Sequence, residues 1–226
     1  MSIWTRISEA LSALAQGEPL SAVFERLRTP PERSVAFTIA VIALGAKMAK
    51  ADGLVTRDEV TAFREVFQIA SKDEAGAARV FNLARQDVAG YDDYARRIKT
   101  MFGDDTGTLS DLMEGLFHIA VADGIYHPDE DRFLASVADI FGLSEAQFRA
   151  TRARFVPDAQ PDPYSVLGVD PDTPLDDIRK AWRRQVLDSH PDKMIARGVP
   201  REAVKLAERR IIDLNRAWEE IAGEEG

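Results

Sequence analysis

A chain of 226 residues, 45% hydrophobic and 30% charged, has room for one good core and a smaller second one, and its composition is that of an ordinary soluble globular protein. A formal net charge of −9 argues against a general nucleic-acid binder, because phosphate contacts need clustered Lys and Arg. The absence of cysteine excludes disulfides, thiol catalysis and Cys-based zinc sites, and fits a reducing cytoplasm, the expected location.

Helical periodicity runs from end to end and no stretch alternates as a strand would, so the expected fold class is all-α. Residues 1–29 read as an amphipathic helix, with Ile3, Ile7, Leu11 and Leu14 at helical spacing and Trp4 beside them. Such a stripe packs on its own domain. A peripheral membrane contact is the alternative, for which Arg6 alone supplies little charge. The N-terminus lacks the basic start and compact apolar run of a signal peptide. Thr29-Pro30-Pro31 interrupts the first helical region. The longest apolar stretch, Val35 to Ala46, carries Thr38 and ends at Lys47. It falls short of the roughly 20 residues a membrane-spanning helix requires, so no transmembrane segment is expected.

An internal repeat follows. Ala51-Asp52-Gly53-Leu54-Val55-Thr56-Arg57-Asp58-Glu59 is echoed by Ala122-Asp123-Gly124-Ile125-Tyr126-His127-Pro128-Asp129-Glu130. In each copy an apolar helix precedes the Asp-Gly turn and another helix follows it. Thr56 and Glu59 form a capping box, and in the second copy Pro128 suits the first helical position while Asp129 and Glu130 favour the positive end of the helix dipole. The repeated Ala-Asp-Gly turn with a following acidic residue resembles the TerB family, an all-helical tellurite-resistance-type domain, over roughly Ser34 to Phe148. If the two repeats pack about a pseudo-twofold axis, Asp52, Glu59, Asp123 and Glu130 converge with Asp58 and Asp129, a donor set for Ca²⁺ or Mg²⁺. The spacing is not that of an EF-hand, and helix capping accounts for the same residues without a metal.

Phe155-Val156-Pro157-Asp158-Ala159-Gln160-Pro161-Asp162-Pro163 holds three prolines in nine residues. The expected organisation is therefore a helical domain over 1–154, a linker over 155–161 and a second domain over 162–226. The second opens with Tyr164-Ser165-Val166-Leu167-Gly168-Val169 and a turn at Thr173-Pro174. A helix from about Leu175 to Ser189, the tetrapeptide His190-Pro191-Asp192-Lys193, a loop to Pro200 and a helix from about Arg201 to Ile221 follow. Ile178, Trp182 and Val186 fall at i, i+4, i+8, and Ile211, Leu214, Trp218 and Ile221 at i, i+3, i+7, i+10. These are facing apolar stripes suited to an antiparallel hairpin, with both tryptophans on the core side. The other face of the first of these helices shows Arg179, Lys180, Arg183 and Arg184, a local positive field that can steer an acidic partner surface. Pro191 fixes one torsion and ends the helix, so His190 and Asp192 are presented from a stiff turn.

This arrangement resembles the J domain along its whole length, through Tyr164, Leu167, Gly168, Val169, Ile178, Ala181 and Trp182, His190-Pro191-Asp192, and Ile211, Leu214, Ala217 and Trp218. The loop Met194-Ile195-Ala196-Arg197-Gly198-Val199-Pro200, and the order of the two domains, resemble the DjlA-like family. The resemblance implies a co-chaperone that binds a DnaK-type chaperone and stimulates its ATP hydrolysis. It assigns partner contact to His190, Pro191, Asp192 and Lys193, and to Arg179, Lys180, Arg183 and Arg184. The first domain would supply targeting or a surface for client proteins. Gln185 and Ser189 depart from the residues usual in that family and are expected to loosen the helix end beside His190. His127-Pro128-Asp129 repeats the tripeptide without the basic helix before it and is read as a helix start. There is no P-loop and no nucleophile–base pair, so no enzymatic activity is expected. The alternative reading is a metal-binding or stress-responsive TerB-like scaffold whose J domain only recruits a chaperone.

Overall fold

A computed structural model of the chain describes residues 7, 9, 13, 32–51, 61, 90–103, 105–156, 162–200 and 203–224. Every regular element among them is an α-helix. The first, α1 (Glu32–Ala51), is buried on all sides from Ala36 to Met48. A helix apolar all round belongs at the centre of a bundle, and among the described residues α1 is packed by α2 (Tyr91–Phe102), α3 (Thr106–Ala120) and α4 (Pro128–Phe141). Glycines on facing helices bring α1 and α3 together: a Cβ on Gly45 would lie 3.2 Å from Ile119 Cδ1, and one on Gly115 would lie 3.4 Å from Val41. No helix among the described residues is long and apolar enough to cross a membrane.

Amphipathic α2 buries Tyr94, Ala95, Ile98 and Phe102 and keeps Arg96 outside, paired with Asp92 and Asp93. The Asp105 side chain caps α3 by accepting from Thr108 N at 3.0 Å. Gly142, at φ +74°, closes α4 in the left-handed conformation. Ser144 and Gln147 then form a capping box that starts α5 (Glu145–Phe155). Phe117 of α3 gathers Tyr126, Phe148 and Phe155 around it at centroid distances of 5.6–6.1 Å. Of the N-terminal stripe, Ile7 is described and sits fully buried in this core; Ile3, Trp4, Leu11 and Leu14 lie outside the described residues.

Beyond residue 161 come α6 (Pro163–Leu167), α7 (Leu175–Asp188), α8 (Pro191–Arg197) and α9 (Val204–Glu224). The segment expected as a loop after His190 is thus a short helix, because Pro191 occupies a first helical position and Gly198, at φ +97°, supplies the stop. The predicted hairpin is present: α7 and α9 enclose Val166, Leu167, Ile178, Leu214, Ala217 and Ile221. Trp182 and Trp218 stack at 5.1 Å with 11° between their planes, and Trp182 Nε1 donates to Asn215 Oδ1 at 3.0 Å. Asn215→Ala is expected to cost about 1 kcal/mol in urea denaturation, the net worth of one half-buried hydrogen bond. An unchanged midpoint would show that the stack alone orients Trp182.

The hairpin is docked on the bundle. Met194, Val199, Ala203, Leu206 and Ala207 belong to the same buried cluster as the α1–α4 core. On the other flank α6 lies on α5, where a Cβ on Gly168 would stand 3.5 Å from the Ala150 Cβ.

Candidate functional site

The site is built where α7 ends. Ser189 is buried and its Oγ donates to Gln185 O at 2.6 Å, while Gln185 Nε2 donates to Leu167 O at 2.7 Å. These two residues were expected to loosen the helix end; they tie it, one to its own last turn and the other to α6. His190 then takes up extended torsions (φ −61°, ψ 132°) as the cap of α8, and its Nδ1 accepts from Asp192 N at 3.2 Å. The side chains remain open, with His190 59% and Asp192 88% exposed. Lys193 Nζ reaches back across the turn to Asp188 Oδ1 at 2.8 Å.

Arg179, Lys180, Arg183 and Arg184 are all exposed on α7. Arg179 and Arg183, and Lys180 and Arg184, are i, i+4 neighbours, so the four form one ridge that runs toward His190, roughly 16 Å along the axis. Asp177 accepts from Lys180 at 2.7 Å; this hydrogen bond and the adjacent charge raise the Lys180 pKa. Both partners are in solvent, so the pair is a weak tether and Lys180 can leave it for another carboxylate. The eight residues assigned to partner contact thus lie along α7 and the turn that follows it, all exposed except half-buried Pro191.

His127-Pro128-Asp129 has nearly the same backbone. His127 sits at φ −82°, ψ 143°, and its Nδ1 accepts from Asp129 N at 3.2 Å. What differs is the residue three positions on. Glu130 Oε2 accepts from His127 N at 2.8 Å and completes a capping box. At the second tripeptide that position is Lys193, which has no acceptor to offer, and His190 N meets only Leu187 O at 3.4 Å. The other acids around His127 are also engaged: Asp129 with Arg132, and Asp131 with Tyr126 and Arg152. Both tripeptides start a helix and their histidines are about equally exposed, 53% and 59%. The first is sealed at its backbone N–H by the full box, whereas the second lacks the box and leaves Asp192 88% exposed against 38% for Asp129.

Of the acidic repeat, Asp123 Oδ1 accepts from Ile125 N at 2.9 Å to shape its turn, and Glu130 serves the cap just described. Asp52, Asp58 and Glu59 lie outside the described residues. Among those that are described, no three His, Asp or Glu side chains gather as metal ligands would.

The sequence reading missed a buried ion cluster where the hairpin meets the bundle. Asp111 and Glu114 of α3 are 0% and 1% exposed. Asp111 accepts from Arg210 at 2.6 Å and from Arg197 at 2.9 Å; Glu114 accepts from Arg210 at 2.6 Å and from Arg154. Burial pushes the Asp111 carboxyl upward in pKa, opposed by the two guanidinium groups that hold its charge. Burial also disfavours the Arg210 cation, but Glu114 and Asp111 outweigh it and raise its pKa. For Arg154, burial wins and lowers it. The one visible signal was a carboxylate pair at i, i+3 inside the apolar run Leu109, Leu112, Met113, Leu116.

A helical hairpin with an exposed His-Pro-Asp turn beside a cationic ridge defines a J-domain protein, and residues 162–225 match the DnaJ domain. Residues 38–153, more than half of the chain, match the family of the tellurite resistance protein TerB, and the chain belongs to that family. Proteins named co-chaperone protein DjlA resemble it across both parts. That of Photobacterium profundum is 26% identical, with 86% of this chain and 80% of the relative covered. Those of Coxiella burnetii and Escherichia coli are 28% and 23% identical, covering 77% and 86% of this chain and 72% and 82% of theirs. No solved structure matches the chain.

Proposed function

We propose that this chain is a co-chaperone that docks on a DnaK-type chaperone and stimulates its ATP hydrolysis, the chaperone itself performing the chemistry. The observation that carries the reading is the second His-Pro-Asp: it stands at the end of the cationic ridge with no box carboxylate on its backbone N–H and with Asp192 exposed, while the equivalent tripeptide elsewhere in the chain is closed by Glu130 and ringed by paired acids. A preorganised polar pair loses little entropy on docking, and the ridge supplies long-range attraction to an acidic partner surface. The relatives named as co-chaperones support the same role. The bundle would carry the targeting or client-binding surface.

Single-turnover ATP hydrolysis by a purified bacterial DnaK, titrated with the protein, tests the proposal. Stimulation is expected to saturate. Arg183→Glu is expected to raise the half-saturating concentration about tenfold, since it replaces attraction by repulsion at an exposed contact. Moving from low to physiological salt should shift wild type in the same direction. Absence of stimulation by the folded protein at every concentration would end this reading.

A further inference from the structure

One side chain spans the functional turn from both sides. Arg197 lies at the end of α8, seven residues after His190, yet its Nη1 donates to Asp188 O at 3.1 Å, two residues before His190. The same guanidinium gives its Nη2 to Asp111 Oδ2 at 2.9 Å, on α3 of the bundle. The Arg197 carbonyl lies 3.3 Å from Thr108 Oγ1, whose single proton is shared with the nearer Asp105 Oδ2 at 2.8 Å. Its path is prepared by the backbone of α3: a Cβ on Gly107 would stand 3.2 Å from Arg197 Cδ and Nε, so the bare glycine lets the side chain lie along the first turn. Asp111 cannot turn away, because its other oxygen is bonded to Arg210 at 2.6 Å and the residue is wholly buried.

The alternative strap across the turn, Lys193 to Asp188, is half exposed at both ends and holds little. Arg197 is 20% exposed, and its bond to Asp111 is charge-assisted and sheltered. The stiffness of the turn therefore has a source outside the hairpin.

We infer that Asp111, in the TerB-like bundle, is a positioning residue for the His-Pro-Asp turn, acting through Arg197. Its effect on stimulation rests on the function proposed above; its effect on the order of the turn does not. Without the Asp111 charge, a single amide oxygen is left for two guanidinium groups and the amide N–H₂ repels the other, so the Arg197 guanidinium loses its charge-assisted bond and swings toward solvent. Asp188 O is then released, and His190 and Asp192 must be ordered during docking. The ridge on α7 keeps its attraction for the partner, so the loss falls on coupling more than on binding.

The test uses the full chain with Asp111→Asn and, as the variant that leaves the buried carboxylates intact, Arg197→Lys, whose single ammonium keeps the charge but cannot bridge Asp111 and Asp188 O. In the DnaK titration each variant is expected to lower the saturating rate about three- to tenfold and to move the half-saturating concentration less than about twofold. A loss of folded protein does the reverse: it shifts half-saturation and spares the plateau. In ¹⁵N relaxation, amide order parameters at Asp192 and Lys193 should fall from about 0.85 to below about 0.6, with those at Arg179 and Lys180 unchanged. Wild-type plateau and wild-type order in both variants would overturn the inference. If the wild type itself gives no stimulation, the functional reading fails and the relaxation data alone decide the clamp.

Discussion

His190→Gln is expected to reduce stimulation of a DnaK-type ATPase at least about tenfold, while His127→Gln leaves it intact and lowers the stability of the bundle by about 1 kcal/mol. The comparison is informative because the two tripeptides share their backbone torsions and their Nδ1 hydrogen bond. Any effect arising from the tripeptide alone must appear in both variants. At the first copy the histidine caps α4, Glu130 seals the backbone N–H, and the surrounding acids are committed to Arg132, Arg152 and Tyr126. Glutamine there loses a cap and nothing else. At the second copy the imidazole is exposed at the tip of the cationic ridge, where its loss is felt by a partner. Equal loss of stimulation in both variants would mean that the tripeptide acts through the fold, and the contrast between open turn and sealed cap would be wrong.

Glu114→Ala is expected to destabilise the folded chain by about 3–5 kcal/mol, read as a lowered denaturant midpoint. Glu114 accepts from Arg154 and Arg210, and all three side chains are 10% exposed or less. Removing the carboxylate takes from two largely buried guanidinium groups their shared acceptor: Arg210 keeps Asp111, while Arg154 keeps only Thr151 Oγ1 at 3.4 Å and the charge of nearby Asp213. Asp92→Asn on α2 is the matched control, since its pair with Arg96 is in solvent and should contribute less than about 0.5 kcal/mol. A loss below about 1 kcal/mol for Glu114→Ala would mean that solvent reaches the cluster.

The helical class, the hairpin stripes, the open tripeptide and the ridge were legible in the sequence because each depends on local spacing. Ile178, Trp182 and Val186 declare their face at i, i+4, i+8 whatever surrounds them. The linker prolines marked a boundary in sequence but said nothing of the docking across it. That docking depends on pairs such as Asp111 with Arg197 and Glu114 with Arg210, which stand 86 and 96 positions apart. Periodicity does not reach that far, and a buried carboxylate is indistinguishable from an exposed one until its partner is placed. Gln185 and Ser189 were misread for a related reason: they were judged against a family habit, whereas their hydrogen bonds to Leu167 O and to the helix's own last turn decide what they do. The short helix α8 was missed because proline was taken as an ending; one residue later it is equally a beginning.

The apolar cluster that runs from α1 through Met194, Val199, Leu206 and Ala207 sets a limit on how freely such proteins are assembled from parts. A J domain taken from here and fused to an unrelated carrier would arrive with that sticky flank uncovered and with Arg197 and Arg210 facing water instead of carboxylates. A foreign J domain grafted onto this bundle would leave Asp111 without its cations and Glu114 with Arg154 alone. Exchange between relatives should therefore succeed only where both halves of the seam travel together, and lineages that reshuffled one half alone should have rewritten positions 107, 111 and 114 to match.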